Sequence, residues 1–380
     1  MRLSVSNNLN EVPATQWNAL AGTDIPFLRH EFLSALETHH CVGEAAGWTP
    51  QHLLLFDTLD NKEILVGAVP QYLKTNSYGE LVFDWAWADA YHRIGKRYYP
   101  KLVVAIPYTP ATGPRLLISP EADQKTIADE LIQFSIEHAK KLQVSSLHWL
   151  FPNNEDLERL KEQGFMPRLA CQFHWRNEGY KGFDDYLECF TSSKRKKIKR
   201  ERRQVIESGV TISRLYGDEL SEKQWRAVHR HYASTFDRHS GYATLSLNFF
   251  LELARTMPKQ LLIILAESNG ESVASAICFC DEQTLYGRHW GCDQHFQNLH
   301  FEACYYQGLE YCIEQGLSRF DPGAQGEHKI SRGFLPTPTW SAHWIADPEF
   351  SKAIEGFLKH ETVEMEVYIN ELNKRSPFKK

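Results

Sequence analysis

The pattern of apolar positions is clearest in the C-terminal third of the chain. Between residues 301 and 315, apolar or small side chains recur at helical spacing and fall on one face: Phe301, Cys304, Tyr305, Gly308, Leu309 and Cys312. This pattern predicts a helix that ends at Gly316, because glycine readily takes the left-handed conformation of a helix C-cap. A short strand ending at Asp321 follows, and the loop after it carries five polar or charged side chains: Gln325, Glu327, His328, Lys329 and Arg332. Charged loops after buried strands commonly carry function, so we expect the chemistry here.

The rest of the chain alternates between strand-like and helix-like segments. In the first half, the pattern predicts strands at 51–57, 63–72, 102–106, 115–118, 146–151 and 170–176, and helices at 29–38, 123–142 and 155–163. In the second half, it predicts helices at 184–189, 221–236 and 247–256, and strands at 261–267, 271–280 and 284–292. Helices and strands mixed along the whole chain are typical of an α/β or α+β fold with mixed central sheets flanked by helices.

One arrangement of elements occurs twice. Residues 164–167 (Gly-Phe-Met-Pro) correspond to residues 333–336 (Gly-Phe-Leu-Pro), and His174-Trp175 corresponds to His343-Trp344 at the same separation. Pro152 corresponds to Pro322 with one residue of slippage. The repeat predicts two tandem copies of one unit, offset by about 169 residues. We therefore expect an N-terminal domain at 1–176 and a C-terminal domain at 177–380.

Composition narrows the class of protein. A chain of 380 residues has room for two domains with real cores. The N-terminal segment MRLSVSNNLNEV has no apolar run, and no stretch reaches the length of a membrane span, so we expect a cytoplasmic protein without a signal peptide. The eight cysteines form no Cys-x-x-Cys pair, which predicts reduced, buried thiols and no zinc site.

A basic segment opens the second domain. Residues 194–203 (KRKKIKRERR) hold eight basic residues and one Glu, although the whole chain has a net charge of −6. Thr191, Ser192 and Ser193 are candidate N-caps for a helix that ends at Gly209. Cations at a helix start oppose the helix dipole, and the free N–H groups there bind anions, so the segment predicts a phosphate site. Its members are Lys194, Arg195, Lys196, Lys197 and Arg200. The alternative is a solvated charged helix, the usual fate of such a run.

The stretch from residue 78 to residue 108 combines aromatic side chains with acids. One interpretation is a binding cleft lined by aromatic rings, with polar groups supplied by acids and a lysine. The candidate residues are Tyr78, Glu80, Asp84, Trp85, Trp87, Tyr99 and Lys101. The alternative is that this many aromatic rings pack a core between strands.

The two copies of the repeat differ in ionisable groups. After the matched strand, the first copy has Phe151-Pro152, whereas the second has Asp321-Pro322 and the loop with Glu327 and His328. The second copy is therefore the candidate for catalysis, with the alternative that Asp321 only caps the turn at Pro322. Four histidines lie in this region at spacings that match no metal motif, so no metal site is predicted: His289, His295, His300 and His328.

Seven segments resemble a known family. They are PFLRHEFLSALE (26–37), GWTPQHLLL (47–55), SYGELVFDWAWADAY (77–91), YYPKL (98–102), TSSKRKKIKRERR (191–203), YGRHWGC (286–292) and RFDPGAQGEHKISRGF (319–334). Together they are similar to the FemAB-like, peptidoglycan-biosynthesis-type family of bacterial proteins related to the GNAT acyltransferases. Gly-Phe after a helix, at residues 164–165 and 333–334, resembles the closing elements of the GNAT fold. The resemblance covers nearly the whole chain and implies two tandem GNAT-like domains.

The resemblance implies transfer of an activated acyl or aminoacyl group onto an amine, in a cleft where the two domains meet. Asp321, Glu327 or His328 would orient or deprotonate that amine, and Lys329 and Arg332 would steady the developing negative charge. Arg288, His289 and Trp290, from the YGRHWGC motif, join the substrate-binding candidates.

The donor is open between acetyl-CoA or another acyl-CoA and aminoacyl-tRNA. GNAT enzymes that use acetyl-CoA hold its pyrophosphate with a glycine-rich turn, but residues 292–300 contain no glycine, which argues against CoA. The expected partners are a small or precursor substrate with a phosphate, and tRNA. Two alternatives are a catalytically silent binding module for a phosphorylated precursor and a CoA-dependent N-acetyltransferase.

Overall fold

The computed structural model describes residues 1–22, 24–59, 62–238, 241–324 and 326–379. The chain forms two compact units. Unit 1 contains Met1–Cys171 and Pro338–Tyr368, and unit 2 contains Gln172–Thr337 and Ile369–Lys380.

Unit 1 contains two groups of paired strands. The first is antiparallel, in the order β1-β3-β4-β7, with β1 Arg2–Ser6, β3 His52–Leu59, β4 Lys62–Val69 and β7 Leu117–Ile118. The second has the order β2-β5-β6-β8, with β2 Trp48–Pro50, β5 Gln71–Lys74, β6 Lys101–Val104 and β8 Ser146–Leu150. β6 and β8 are parallel, and residues 341–345 pair with β8 on its other side.

The α-helices in the described N-terminal part of unit 1 are α1 Ala14–Ala21, α2 His30–Thr38, α3 Trp85–Arg93, α4 Gln124–Lys141 and α5 Asn154–Glu162. The Asp123 side chain caps α4 by accepting from the backbone N–H groups of Lys125 and Thr126. The inward face of α4 packs with β6, β8 and α5 in one apolar core that includes Leu131, Trp149 and Leu160. The predicted helices at 123–142 and 155–163 are therefore present.

Unit 2 is built on a mixed sheet. Its strands are β10 Thr211–Tyr216, β11 Leu261–Ser268, β12 Glu271–Cys280, β13 Thr284–Cys292 and β14 Arg319–Asp321, in sequence order across the sheet. β13 and β14 are parallel, and β14 then pairs antiparallel with residues 175–176. The helices of this region are α6 Phe183–Glu188, α7 Ser192–Glu207, α8 Glu222–Arg238, α9 Leu247–Thr256, α10 Leu299–Phe301 and α11 Gln307–Gln315.

The predicted helix at 301–315 is present but has an irregular start. A π-helical turn, Glu302–Tyr306, joins α10 to α11, and Gly316 ends α11 in the left-handed conformation. Such π turns occur frequently at functional sites. On the opposite side of the sheet, α8 packs so closely on β13 that a Cβ on Gly291 would lie 1.7 Å from the carbonyl oxygen of His231.

The sequence repeat reappears as two strands of equal length. β9 spans Met166–Arg176 and β15 spans Leu335–Ile345, so both ends are offset by the predicted 169 residues. The units nevertheless differ from the predicted domains 1–176 and 177–380. The end of β9 belongs to unit 2, where it pairs with β14, and the end of β15 belongs to unit 1, where it pairs with β8. The difference arises because these strands pair with partners that are far away in the sequence, so no single position along the chain separates the two units.

Two helices lie where the sequence pattern predicted none. α12 spans Pro348–Asn373, and its Ile354 and Leu358 pack against Trp87, Tyr91 and Tyr98 in a second apolar cluster of unit 1. α3 carries Trp87 and Tyr91 in that cluster. Residues 85–93 therefore form a helix whose buried face is aromatic.

Candidate active site

A cavity opens in unit 2 where two parallel strands separate. β13 and β14 pair from Thr284–Tyr286 to Arg319–Asp321, and beyond these residues β13 continues while the chain after β14 turns into a loop. The cavity has a volume of about 200 Å³. Its wall includes residues from β13, from the π-helical turn region and from the loop: Arg288, His289, Trp290, His300, Cys304, Tyr305, His328 and Lys329. Ligands bind preferentially outside the carboxyl ends of parallel strands, so this place is a candidate active site.

Asp321 is a buried carboxylate at the end of β14. Its Oδ2 accepts a hydrogen bond from Nη2 of Arg288 at 3.2 Å, and its Oδ1 accepts from the backbone N–H of Gly323 at 2.9 Å. Burial alone raises the pKa of Asp321, but the charges of Arg288 and then His174 outweigh it and hold the pKa at about 2. A carboxylate with so low a pKa is a weak base. Asp321 therefore orients Arg288 and the turn, and the predicted role in deprotonation does not fit its surroundings.

Lys329 reaches back under the same loop. Its ammonium group donates to three consecutive carbonyl oxygens, those of Pro322 at 3.2 Å, Gly323 at 2.7 Å and Ala324 at 3.2 Å. Burial lowers the pKa of Lys329 to about 8, with the Asp321 charge acting in the opposite direction. The side chain is therefore mostly charged at neutral pH, and it holds the strand exit in place.

His328 lies at the cavity with a tyrosine partner. Its Nε2 is 2.9 Å from the hydroxyl oxygen of Tyr305, a residue of the π-helical turn. Burial, followed by the charges of Arg332 and Lys329, lowers the pKa of His328, so its imidazole is neutral at neutral pH. A neutral imidazole with a hydroxyl partner can accept a proton. The sequence pattern predicted Tyr305 only as a member of a helix face, because its spacing of 23 residues from His328 gives no signal of this pairing.

Arg332 and Glu327 lie away from the cavity wall. The Arg332 guanidinium makes a two-point ion pair with buried Glu201 of α7 at 3.1 and 3.0 Å, and lies 3.4 Å from the ring centre of Phe301. Nη1 of Arg332 also donates to the carbonyl oxygen of His328 at 3.0 Å. Arg332 therefore positions the loop and is not among the residues that line the cavity, whereas the sequence predicted that it would steady charge on the intermediate. Glu327 is exposed and pairs with Arg375 at 2.8 Å, which places it outside the site.

Comparison with known proteins gives the family. Residues 8–380 match the model of the FemAB-like family, which is described as peptidoglycan biosynthesis/recognition. The chain belongs to the FemAB-like family. The resemblance seen in the seven sequence segments is thereby confirmed. No curated protein sequence matches the chain.

Solved structures show the fold of this FemAB-like chain. One similar structure is the C-terminal domain of a protein named as a lysylphosphatidylglycerol synthetase from Agrobacterium fabrum, with a TM-score of 0.54 and 7% identity over 93% of this chain and 96% of that one. Another is FemX, with a TM-score of 0.54 and 11% identity over 93% of this chain and 100% of that one. The predicted fold class, α/β (α+β) with mixed central sheets flanked by helices, is confirmed.

The turn between β13 and α10 differs from a phosphate-binding turn. Asp293 places a carboxylate there, which pairs with Arg230 at 2.7 Å. Asn298 adopts the left-handed conformation, and its side chain donates to Gln204 of α7 at 2.7 Å. The glycine-poor sequence thus forms a turn whose polar groups bind other parts of this FemAB-like chain, which is unfavourable for holding the pyrophosphate of CoA.

The basic segment forms the predicted helix. α7 begins after Thr191, and four cations of its first three turns are exposed: Lys196, Lys197, Lys199 and Arg200. Lys197 lies 3.8 Å from Glu201, which in turn pairs with Arg332. α7 is thereby joined to the loop that lines the cavity. Binding of a phosphate by Lys194, Arg195, Lys196, Lys197 and Arg200 stays a prediction.

The aromatic stretch of unit 1 divides between core and surface. Trp87 is in the apolar core, whereas Tyr78 and Trp85 are exposed with ring centres 5.1 Å apart, and Tyr99 is half-buried. The polar residues predicted to line a cleft are buried instead. Lys101, with no exposed surface, bonds to Asp84, to Glu80 at 2.8 Å and to Ser77 at 2.9 Å. A buried lysine needs a carboxylate partner, which explains why these acids turn inward.

The described residues contain neither a metal-ligand cluster nor a membrane-spanning helix. No group of three or more His, Cys, Asp or Glu side chains is placed to hold a metal ion in the part of the chain that the structure describes. Among the described helices, none is long and apolar enough to cross a membrane.

Proposed function

We propose that this FemAB-like chain moves an activated acyl or aminoacyl group onto an amine, and that the acceptor is a phosphorylated precursor of the peptidoglycan type. The observation that carries the proposal is the Tyr305–His328 pair, which lies in a cavity at the carboxyl ends of two parallel strands. Membership of a family described as peptidoglycan biosynthesis/recognition supports the same reaction class.

The pair Tyr305–His328 serves as the base. In the tautomer in which the Tyr305 hydroxyl donates to Nε2 of His328, the lone pairs of the tyrosine oxygen are free to accept a proton from an attacking amine. As the amine nitrogen forms its bond to the acyl carbon, its proton passes to the tyrosine oxygen and the tyrosine proton passes to His328. The bond from the acyl carbon to the donor oxygen or sulfur then breaks, and the imidazolium returns a proton to that leaving group.

Two fixed cations stabilise the intermediate. The acyl oxygen gains negative charge when the amine attacks, and Arg288 and Lys329 stand in the cavity wall with Asp321 as their shared counter-charge. Their positive charge at the cavity favours the negatively charged intermediate over the neutral ground state. The phosphate of the acceptor or donor binds at the exposed cations of α7, which joins the cavity loop through Glu201 and Arg332.

Acyl transfer by the purified protein tests the proposal. The protein is incubated with a phosphorylated, amine-bearing muropeptide precursor and with either an acyl-CoA or an aminoacyl-tRNA, and the acylated product is measured by mass spectrometry. His328→Gln is expected to lower the transfer rate by about 100-fold or more. Glu327→Gln is the matched control, because the neighbouring Glu327 pairs with Arg375 and does not line the cavity, and it should retain the rate of the unchanged protein. Loss in both variants, or in neither, would contradict the assignment.

A further inference from the structure

Glu201 is a buried carboxylate on α7 that contacts two other elements of unit 2. Nη2 of Arg332 lies 3.1 and 3.0 Å from its two oxygens, and the Tyr306 hydroxyl donates to its Oε2. The same Tyr306 hydroxyl accepts a hydrogen bond from Nε of Arg332 at 3.1 Å. The three side chains therefore form a closed ring of hydrogen bonds that joins α7, the π-helical turn and the loop after β14.

This ring of hydrogen bonds reaches both members of the Tyr305–His328 pair. Tyr305 precedes Tyr306 in the π-helical turn, and consecutive helix residues point to different sides. Tyr306 is therefore anchored inside, with 1% of its surface exposed, while Tyr305 lines the cavity. On the other side, Nη1 of Arg332 donates to the carbonyl oxygen of His328 at 3.0 Å. The distance between the Tyr305 hydroxyl and the His328 imidazole thus depends on the ring.

The contacts of Arg332 fix an orientation rather than add stability. A buried ion pair loses its hydration, and this cost cancels much of the attraction between the charges. A guanidinium group, however, presents several N–H groups in one rigid plane. The plane of Arg332 contacts Glu201, Tyr306 and the backbone of His328 at the same time. Its flat face also lies 3.4 Å from the ring centre of Phe301, so only one orientation satisfies every contact.

We propose that Glu201 and Tyr306 are positioning residues that hold the hydroxyl of Tyr305 against the imidazole of His328. The inference rests on the proposed function, in which that pair is the base. Neither Glu201 nor Tyr306 lines the cavity, so both act through the base and not on the substrate. Lys197 lies one turn before Glu201, at 3.8 Å from it. The helix that carries the candidate phosphate-binding cations therefore also sets the geometry of the base.

Two substitutions disturb the ring of hydrogen bonds while every charge of the site is retained. Tyr306→Phe removes only the shared hydroxyl. Arg332→Lys keeps the cation but has no rigid plane with which to reach Glu201, Tyr306 and the His328 carbonyl together. Tyr311→Phe is the matched control, because it also removes a buried hydroxyl, one that lies on α11 and contacts another tyrosine hydroxyl at 3.0 Å.

The first measurement is the pKa of His328, followed by NMR of the imidazole, whose signal is identified by its loss in His328→Gln. Burial lowers this pKa below the usual value of about 6.5, and the charges of Arg332 and Lys329 lower it further. Tyr306→Phe and Arg332→Lys should both raise it towards the usual value, because a loosened loop hydrates the imidazole while both cations remain. Tyr311→Phe should leave it unchanged.

The second measurement is transfer to the phosphorylated, amine-bearing muropeptide precursor. Tyr306→Phe and Arg332→Lys should each lower kcat by about tenfold or more, because a small displacement of a catalytic group is costly. The KM for the precursor should stay within about threefold, since the cations of α7 and the cavity wall are unchanged. Tyr311→Phe should retain both constants.

An unchanged His328 pKa together with an unchanged kcat in both variants would overturn the inference, and so would equal losses in Tyr311→Phe. If Arg332→Lys fails to fold, Tyr306→Phe still decides, since it leaves the ion pair in place. A raised His328 pKa in the variants of a protein that transfers no group would support the positioning role and remove the proposed function. Full transfer with an unmoved pKa would leave the proposed function and remove the positioning role.

Discussion

The hydroxyl of Tyr305 lies 2.9 Å from Nε2 of His328, and the two residues come from a π-helical turn and from the loop after β14. If they act as one base, the loss of either should remove the same catalytic step. We expect Tyr305→Phe and His328→Gln each to lower kcat by about 100-fold or more. The double variant should have about the same kcat as the less active of the two single variants. Additive losses in this double-mutant cycle, measured by single-turnover transfer, would show that the residues act separately.

The charge state of His328 predicts the pH dependence of transfer. Burial and the cations Arg332 and Lys329 lower its pKa, and only the neutral imidazole accepts a proton. The value of kcat, measured at saturating acceptor so that protonation of the free acceptor amine acts only on KM, should therefore stay constant from pH 8 down through pH 6.5, and should fall about tenfold per unit once the pH passes below the lowered pKa. A rate that already falls between pH 8 and pH 7 would contradict a neutral His328 as the base.

Asp321 should stabilise the folded chain at neutral pH. Its pKa is lowered from 3.8 to about 2, so the stabilisation is present above pH 4 and is lost as the pH falls from 4 towards 2. The shift corresponds to about 2 kcal/mol in the free energy of unfolding. Asp321→Asn should be destabilised by at least that amount at pH 7, and by about half as much at pH 3, in urea titrations.

A surface aspartate provides the comparison for that measurement. Asp218 is partly exposed and pairs with Lys259 at 3.1 Å, so Asp218→Asn should change the free energy of unfolding by less than about 0.5 kcal/mol at either pH. If both variants lost the same free energy of unfolding at both pH values, the ion pair between Asp321 and Arg288 would not be the cause of the stabilisation.

Asp84 and Glu80, the two acids buried with Lys101 in unit 1, should contribute unequally to the free energy of unfolding. Lys101 bonds to Asp84 and Glu80, and the Tyr98 hydroxyl donates to Asp84 at 2.6 Å. Burial raises the pKa of Glu80 to about 7, against the attraction of Lys101, whereas the pKa of Asp84 is about 2 despite its burial, because of the Lys101 charge. At pH 6 the cluster therefore consists of one cation, one anion and one mostly neutral carboxyl group.

Two substitutions separate these roles. Lys101→Met leaves the Asp84 carboxylate buried without its cation and is expected to be destabilised by about 3–5 kcal/mol. Glu80→Gln replaces a mostly protonated carboxyl group with an amide of the same shape and should be within about 1 kcal/mol of the unchanged protein at pH 6. Thermal or urea unfolding at pH 6 measures both, and similar losses in the two variants would contradict the assigned charge states.

The exposed cations of α7 predict a salt-dependent affinity. Replacing Lys196 and Lys197 together by Glu should weaken binding of a phosphorylated substrate by at least tenfold at 50 mM salt, and by less at 500 mM salt, because exposed charges are screened. Replacing Lys352 and Lys359, two exposed lysines of α12 in unit 1, together by Glu is the control for net charge. Unchanged affinity in the double variant would leave α7 as a solvated charged helix.

Local sequence signals predicted much of the fold. The caps and periodic segments of α4, α5 and α11 depend on residues a few positions apart, and the matched segments at Gly164 and Gly333 predicted two strands with equal offsets. The helices α3 and α12 were missed. In α3 the buried face is made of Trp87 and Tyr91, and aromatic residues favour strands as readily as a helix when packing is unknown.

The sequence predicted where along the chain the candidate site lies, but only part of what its residues do. His328 and Lys329 do line a cavity after β14, and so do Arg288, His289 and Trp290 of the YGRHWGC motif. Asp321 and Arg332 have the residue types expected of a base and of an oxyanion partner, but each is held by a partner that is far away in sequence. Glu201, for example, precedes Arg332 by 131 positions.

The sequence by itself determined the repeat, most helices and strands, and the membership of the FemAB-like family, since these depend on short-range periodicity and on contiguous motifs. Only the tertiary structure decided which ionisable groups are paired, neutral or facing a cavity. A charged side chain is stabilised by whatever group the fold brings within hydrogen-bond distance, and its pKa follows from that neighbour and from burial. Lys101 and Lys329 illustrate the reason: both look like ligand-binding lysines in the sequence, but one is enclosed by carboxyl groups and the other by carbonyl oxygens.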